Sequence, residues 1–288
     1  MKAINQPNLS FSDVWQSCID GIPHEDLKNR FNHINTHLVA QSLEYSQKAP
    51  IAELYLMDNF AGTNDDIVSG TITKQELKDL YSLYMVPANK PARTYYDQLK
   101  FAAPLNICPF CGFGHVSTLD HYLPKAKFPL ISILPINLVP SCADCNKGKS
   151  ASIATTKSKQ CIHPYFDHGQ LINEQWVFAE VDETSPASIS YYSNPPSNWE
   201  EDDKSRVNSH FKDFKLANRY RTQASTELAP LKGELESDFN ISGSSGVRTE
   251  LLKRAEVAKS LHKNHWKTAM FQALANSEWY CTGGFRAV

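Results

Sequence analysis

The sequence predicts an α+β protein that is mainly helical, with a small strand–strand–helix unit near its middle. Apolar residues recur at helical spacing in both flanks, whereas the middle carries two CxxC units around a predicted hairpin. With 41% apolar residues, a chain of 288 residues has enough material for a buried core. We therefore expect an N-terminal helical region at 1–100, a central module at 101–168, and a C-terminal region at 169–288 with a β-hairpin followed by helices.

The N-terminal region is expected to hold three helices. Residues 25–47 show the spacing of one helical face, with apolar residues at Leu27, Phe31, Ile34, Leu38 and Tyr45. Thr73 and Glu76 have the spacing of a capping box, which predicts a helix that runs to about Tyr84. A third helix around Tyr95 leads into the first cysteine pair.

The central module contains four cysteines in two CxxC units, Cys108/Cys111 and Cys142/Cys145. Four thiolates from two such turns form the tetrahedral shell that Zn²⁺ prefers, and this shell leaves no position for water. The sequence therefore predicts a structural zinc site. The alternatives are reduced core cysteines with accidental spacing and two redox pairs.

Between and just after the cysteine pairs lies a second set of polar residues, Asp120, His121, Asn137 and Asn146. We predict a first strand at 116–120, a second from Leu138, and a helix that starts near Cys142. Carboxylate and amide oxygens bind Mg²⁺ or Mn²⁺, and an imidazole titrates near neutral pH. A hard cation and a base are the two requirements of phosphodiester hydrolysis.

This arrangement, over about residues 104–150, resembles the HNH endonucleases, the zinc-stapled branch of the ββα-metal nucleases. The resemblance implies that His121 is the general base and that Asp120 and Asn146 bind a catalytic Mg²⁺ or Mn²⁺. It also implies that the Asn137 side chain fixes the loop that carries His121. The family more commonly has His where this chain has Asn146, and an amide oxygen can still bind a hard cation.

The positive charge is concentrated where phosphate contacts would be needed. The chain has a net charge of -2, yet residues 101–160 and 247–288 each sum to +4. The expected nucleic-acid-binding residues are Lys125, Lys127, Lys147 and Lys149, of which the last ends a stretch similar to the family's CNxxK ending. The alternative is that basic and acidic surfaces simply alternate on a solvated exterior.

Residues 161–168 read Cys-Ile-His-Pro-Tyr-Phe-Asp-His and resemble an HPYxD stretch found downstream of the motif in some HNH relatives. The resemblance implies that His163 supports the site. A buried structural histidine is the alternative.

The C-terminal region is expected to start with a hairpin formed by strands at 176–180 and 187–192. Residues 240–246 are rich in Ser and Gly, which predicts a loop. After it, apolar spacing predicts a final helix at about 248–277.

These features together predict a metal-dependent endonuclease, with DNA the expected substrate ahead of RNA. The sequence around His121 and Cys142 is also similar to HNH subunits that accompany an ATPase in bacterial anti-phage systems of the Septu or retron type. That similarity implies a defence effector with an ATPase partner, and a solitary restriction-like or mobile-element nuclease is the alternative. From another class, a non-catalytic zinc module that binds nucleic acid or protein would need only the cysteines.

The expected location is the cytoplasm, with no membrane partner. Residues 1–10 are polar and show no signal pattern, and the most apolar stretch is interrupted by Pro129 and Pro135. Three cysteines remain outside the predicted zinc site, Cys18, Cys161 and Cys281, and an odd number argues against a disulfide framework.

Overall fold

A computed structural model describes residues 1–148 and 153–287 of the chain. Over these residues the protein is mainly helical with small antiparallel sheets, which confirms the predicted α+β class. The chain divides into two compact units, Ala3–Asp167, and His168–Val288 together with Met1–Lys2. Among the described helices, none is long and apolar enough to cross a membrane.

The first unit, Ala3–Asp167, opens with helices and one short hairpin. Its elements before the cysteines are α1 (Phe11–Asp20), α2 (Glu25–Lys48), β1 (Ile67–Ser69), β2 (Ile72–Thr73), α3 (Lys74–Asp79) and α4 (Arg93–Lys100). The predicted helices over α2 and α4 are confirmed. The capping box is present too: Thr73 Oγ1 accepts from the Glu76 N–H at 3.3 Å, and the Glu76 carboxylate accepts from the Thr73 N–H at 2.8 Å.

The helix that starts at α3 changes its geometry after one and a half turns. The segment Leu80–Met85 continues as a π-helix instead of the predicted α-helix. A π-helical turn widens the backbone spiral and rotates the side chains that follow, and such turns occur frequently at functional sites. Here the widened turn carries Tyr81, which is buried.

The central hairpin and its helix lie in the same unit. β3 (Thr118–His121) pairs antiparallel with β4 (Leu138–Ser141), and α5 (Ala143–Gly148) follows. One apolar cluster joins Phe31 of α2 and Leu77 of α3 to Leu119 and Leu138 of the hairpin. The hairpin is therefore anchored by burial against the helices that precede it in the chain.

The second unit combines a longer hairpin with helices. Its elements are α6 (Gln170–Asn173), β5 (Val177–Asp182), β6 (Ser188–Ser193), α7 (Glu201–Asp213), α8 (Leu216–Leu261), α9 (Trp266–Asn276) and α10 (Glu278–Cys281). β5 and β6 pair in register without a bulge, which confirms the predicted hairpin.

The predicted Ser/Gly loop at 240–246 is reduced to a sharp turn, because two helices meet at one break inside α8. Only Gly243 departs from helical geometry, with φ 61° and ψ −151°, a conformation that a residue without Cβ adopts easily. Arg254 after the break forms a salt bridge with Glu234 before it, whereas a continuous helix would hold two residues 20 positions apart about 30 Å from each other, so the second helix folds back beside the first. The predicted final helix also ends early, at Leu261, and a new helix starts with His265 as its N-cap.

Candidate functional site

The cysteines of the two CxxC units form one buried group, the four-cysteine cluster (Cys108, Cys111, Cys142 and Cys145). Their four Sγ atoms all lie within 4.8 Å of one another. Zn–S bonds of about 2.3 Å at tetrahedral angles place sulfurs about 3.8 Å apart, and the Cys111 and Cys142 sulfurs are 3.9 Å apart. That distance is far too long for a disulfide bond. The four residues therefore fit a metal ion such as zinc.

The turns around the four-cysteine cluster need glycine. A Cβ built on Gly114 would lie 2.9 Å from the Cys142 sulfur, closer than side chains tolerate. Gly112 has φ 76°, and the Gly114 N–H points at the Cys111 sulfur at 3.3 Å. The first CxxC turn thus wraps closely around its sulfurs and directs a backbone donor at one of them.

The thiols of the cluster interact strongly with one another. A hydrogen bond with Cys108 lowers the pKa of the Cys142 thiol to about 6. The same neighbour lowers the pKa of Cys111, whereas burial raises the pKa of Cys108. Hydrogen bonds with the other three sulfurs raise the pKa of Cys145, so the thiolate, the form that binds a metal, is favoured at Cys111 and Cys142 only.

The hairpin brings the other predicted residues near one another. Asp120 lies opposite Val139 in the β3–β4 ladder, and His121 lies opposite Leu138 at the end of β3. The Asn146 Nδ2 of α5 is 3.4 Å from Thr118 Oγ1. Side chains alternate along a strand, so Thr118 and Asp120 share one face of the hairpin. Asn146 is thereby placed against the strand that carries Asp120 and His121.

The orientation of the His121 ring is fixed by a backbone carbonyl. Its Nε2 lies 2.8 Å from the Ser132 oxygen, and the residue is only 8% exposed. A carbonyl oxygen can only accept a hydrogen bond, so Nε2 carries the proton and Nδ1 keeps the lone pair. His121 is therefore held in the tautomer whose Nδ1 can act as a base.

Asn137 links the hairpin to the loop at 122–136. Its Oδ1 accepts from the Leu123 N–H at 2.7 Å, and its Nδ2 donates to the Leu123 oxygen at 3.1 Å and to the Ile131 oxygen at 3.4 Å. The side chain is fully buried. Through these contacts the Asn137 side chain can fix the loop that follows His121.

Leu77 of α3 and Tyr81 of the π-helical turn make contacts around His121 that sequence reasoning missed. The Tyr81 and His121 rings meet edge to face with centroids 4.4 Å apart, and the Tyr81 hydroxyl donates to the Leu119 oxygen at 3.3 Å. The Ser132 hydroxyl donates to the Leu77 oxygen at 2.6 Å, which holds the residue whose carbonyl orients His121. Burial and the nearby Tyr96 and Asp120 raise the pKa of Tyr81, so its hydroxyl stays protonated.

Comparison with known proteins supplies one full-length relative. The chain is 35% identical over 297 residues to Protein ea31 of Escherichia phage lambda, with 98% of this chain and 100% of the relative covered. The chain belongs to the ea31 family. No protein-family model matches the sequence, and no solved structure is similar to it. The name ea31 specifies neither ligand nor reaction, so the HNH assignment stays a prediction.

The lysines of this ea31-family chain lie in different settings. Lys125 donates to Ser82 Oγ at 2.6 Å and lies 4.6 Å from the Tyr81 ring centre, and burial lowers the pKa of its ammonium group. Lys127 is half-buried, and Lys147 is exposed on α5. Lys149 lies outside the described residues. Lys147 is thus more accessible to a phosphate than Lys125.

In this member of the ea31 family, residues 161–167 make hydrogen bonds with the β3–β4 hairpin and the loop that follows β3. His163 is 1% exposed, its Nδ1 accepts from the Tyr165 N–H at 3.2 Å, and its Nε2 lies 2.9 Å from the Tyr45 hydroxyl. The Tyr165 hydroxyl donates to the Leu138 oxygen at 2.8 Å, and the Tyr122 hydroxyl donates to the Cys161 oxygen at 2.6 Å. This geometry favours the buried structural role for His163.

Proposed function

We propose that the protein is a metal-dependent HNH endonuclease that hydrolyses phosphodiester bonds, with DNA the expected substrate ahead of RNA. The observation that carries the proposal is the His121 geometry. A histidine at the end of a hairpin strand is fixed through Nε2 and follows an aspartate, and the same strand is contacted through Thr118 by the helix that carries Asn146. A purely structural zinc unit has no need for that combination.

Each residue has a defined task in this proposal. His121 Nδ1 takes a proton from the attacking water, and the Ser132 carbonyl keeps the ring aligned as its charge changes. Asp120 and Asn146 would hold Mg²⁺ or Mn²⁺ through oxygen atoms. When bound, such a cation neutralises charge on the phosphate and the leaving oxygen. The four-cysteine cluster would hold a structural Zn²⁺ that keeps the second strand and α5 in place.

The biological setting is a separate part of the proposal. A defence effector that works with an ATPase subunit rests on the resemblance to anti-phage HNH subunits. The relative from Escherichia phage lambda favours a mobile-element nuclease as the second candidate, because it shows that a phage carries a member of this family. Co-purification with the product of the neighbouring gene tests the ATPase partner directly.

The chemistry is tested with plasmid DNA incubated with wild type and His121→Ala under Mg²⁺, Mn²⁺ and EDTA. Loss of a general base lowers a rate by about 10²–10⁴. His33→Ala is the matched control, because His33 is exposed on α2 in the same unit. Equal cleavage by wild type and His121→Ala would refute the base assignment. Nucleic-acid binding without cleavage under any metal would instead favour the non-catalytic zinc module.

A further inference from the structure

We infer that a pocket beside the loop after His121 binds a single unpaired nucleobase of the nucleic-acid strand. The inference rests on the proposed nuclease function and adds a base-reading subsite to it. The pocket lies between α2, residues 58–60 and the turn Pro129–Ile131, and its volume is about 210 Å³. We call it the Phe60 pocket.

The size and apolar walls of the Phe60 pocket suit a flat ring. Pockets for drug-sized ligands usually measure about 300–1,000 Å³, and this pocket is smaller at about 210 Å³. Phe60 and Phe128 contribute aromatic walls, and Val68 and Ile131 contribute aliphatic ones. Bases that leave a stack bind in protein pockets by packing on aromatic and apolar side chains.

The polar groups at the mouth offer both donors and acceptors. Asp58 and Asn59 are exposed there, and among the described residues no hydrogen-bond partner is seen for their side chains. A carboxylate disfavours a phosphate inside the pocket, whereas carboxylate and amide groups match the donor and acceptor edge of a base. Lys127 also lines the pocket and can meet the phosphate of the same nucleotide.

The location connects the Phe60 pocket to the proposed catalytic base. The Phe60 N–H donates to the Lys127 oxygen at 2.7 Å, which joins the two loops that form the pocket. The turn Pro129–Ile131 leads directly into Ser132, whose carbonyl orients His121. A base held in the pocket would therefore contact the loop that positions His121, and binding there would favour cleavage beside the bound nucleotide.

The test uses the full chain and the four 5′-deoxynucleoside monophosphates, followed by NMR of the backbone amides. We expect at least one nucleotide to shift the Phe60 and Ile131 signals, whereas deoxyribose 5-phosphate, which lacks a base, leaves them unchanged. Asn59→Ala removes one neutral hydrogen bond to the bound base and should weaken the affinity for that nucleotide by about two- to tenfold. Asn35→Ala, an exposed asparagine of α2 outside the pocket, should bind as wild type does.

Two results would overturn the inference. One is that the sugar phosphate alone produces the same shifts, and the other is that no nucleotide shifts the pocket signals at millimolar concentration. A short single-stranded oligonucleotide should produce the same shifts at lower concentration, which separates a strand-borne base from a free nucleotide as the natural occupant. A wild type that cleaves DNA without pocket binding refutes only this inference, whereas pocket binding without any cleavage refutes only the nuclease.

Discussion

Removing the Asn137 side chain should release the loop that follows His121. Asn137→Ala leaves the N–H and the carbonyl of Leu123 without the bonds of 2.7 and 3.1 Å that they now make. A buried polar group without a partner costs about 1–3 kcal/mol of stability. Because water can partly reach the two Leu123 groups in the variant, we expect the loop to lose about 3–4 kcal/mol of local stability. The bond of 3.4 Å to Ile131 is too long to add much.

Hydrogen exchange of the Tyr122 amide measures this cost locally. That N–H donates to the Asn137 backbone oxygen at 2.8 Å, a bond that the substitution leaves intact. A loss of about 3 kcal/mol accelerates exchange through local opening by about 10²-fold. Asn35→Ala is the control, because surface substitutions usually change stability by about 0.5 kcal/mol or less. Tyr122 exchange in Asn137→Ala within about threefold of wild type would refute this reasoning.

Three further predictions concern the zinc site, Tyr81 of the π-helical turn, and acid stability. Extensively dialysed protein should retain one zinc per chain, and Cys145→Ser should lose it; a folded, metal-free wild type would contradict the four-cysteine cluster as a metal site. Tyr81→Phe should keep the cleavage rate, whereas Tyr81→Leu should lower kcat about tenfold with little change in KM, because only the ring contacts His121; equal kcat in both variants would contradict this. Burial opposes ionisation of Glu76, yet hydrogen bonds from Arg30 and Thr73 hold its pKa below the usual range. The ionised Glu76 carboxylate therefore stabilises the fold above the unfolded pKa of about 4.3, and this stabilisation is lost as pH falls through the lower folded pKa. Glu76→Gln should therefore lower the free energy of unfolding at neutral pH and lower it less in acid. A loss that does not depend on pH would contradict the assignment.

Local sequence signals predicted the elements whose causes lie close together in the chain. The capping box at Thr73 and the apolar face of α2 depend on residues within a few positions, and both are present. The CxxC spacing likewise brings two thiols into one turn, and the pairing of the two turns follows from the hairpin between them.

The features that were missed depend on distant or competing interactions. Ser and Gly around Gly243 mark a break in the helix, but the break is confined to a single non-helical residue between two helices that contact each other, which local composition does not reveal. The contacts of Tyr81 and Leu77 with the His121 region cross 38 residues or more. No pattern in the local sequence predicts such a contact. The π-helical turn at Leu80–Met85 becomes visible in the structure alone.

The most direct test of His121 as a general base is chemical rescue. In His121→Gly, the ring that donates to the Ser132 carbonyl is removed and leaves a space of imidazole size. We predict that DNA cleavage under Mn²⁺ falls by about 10²–10⁴ and recovers in part, and saturably, when free imidazole is added. Cleavage by His121→Gly at the wild-type rate without imidazole would contradict the account.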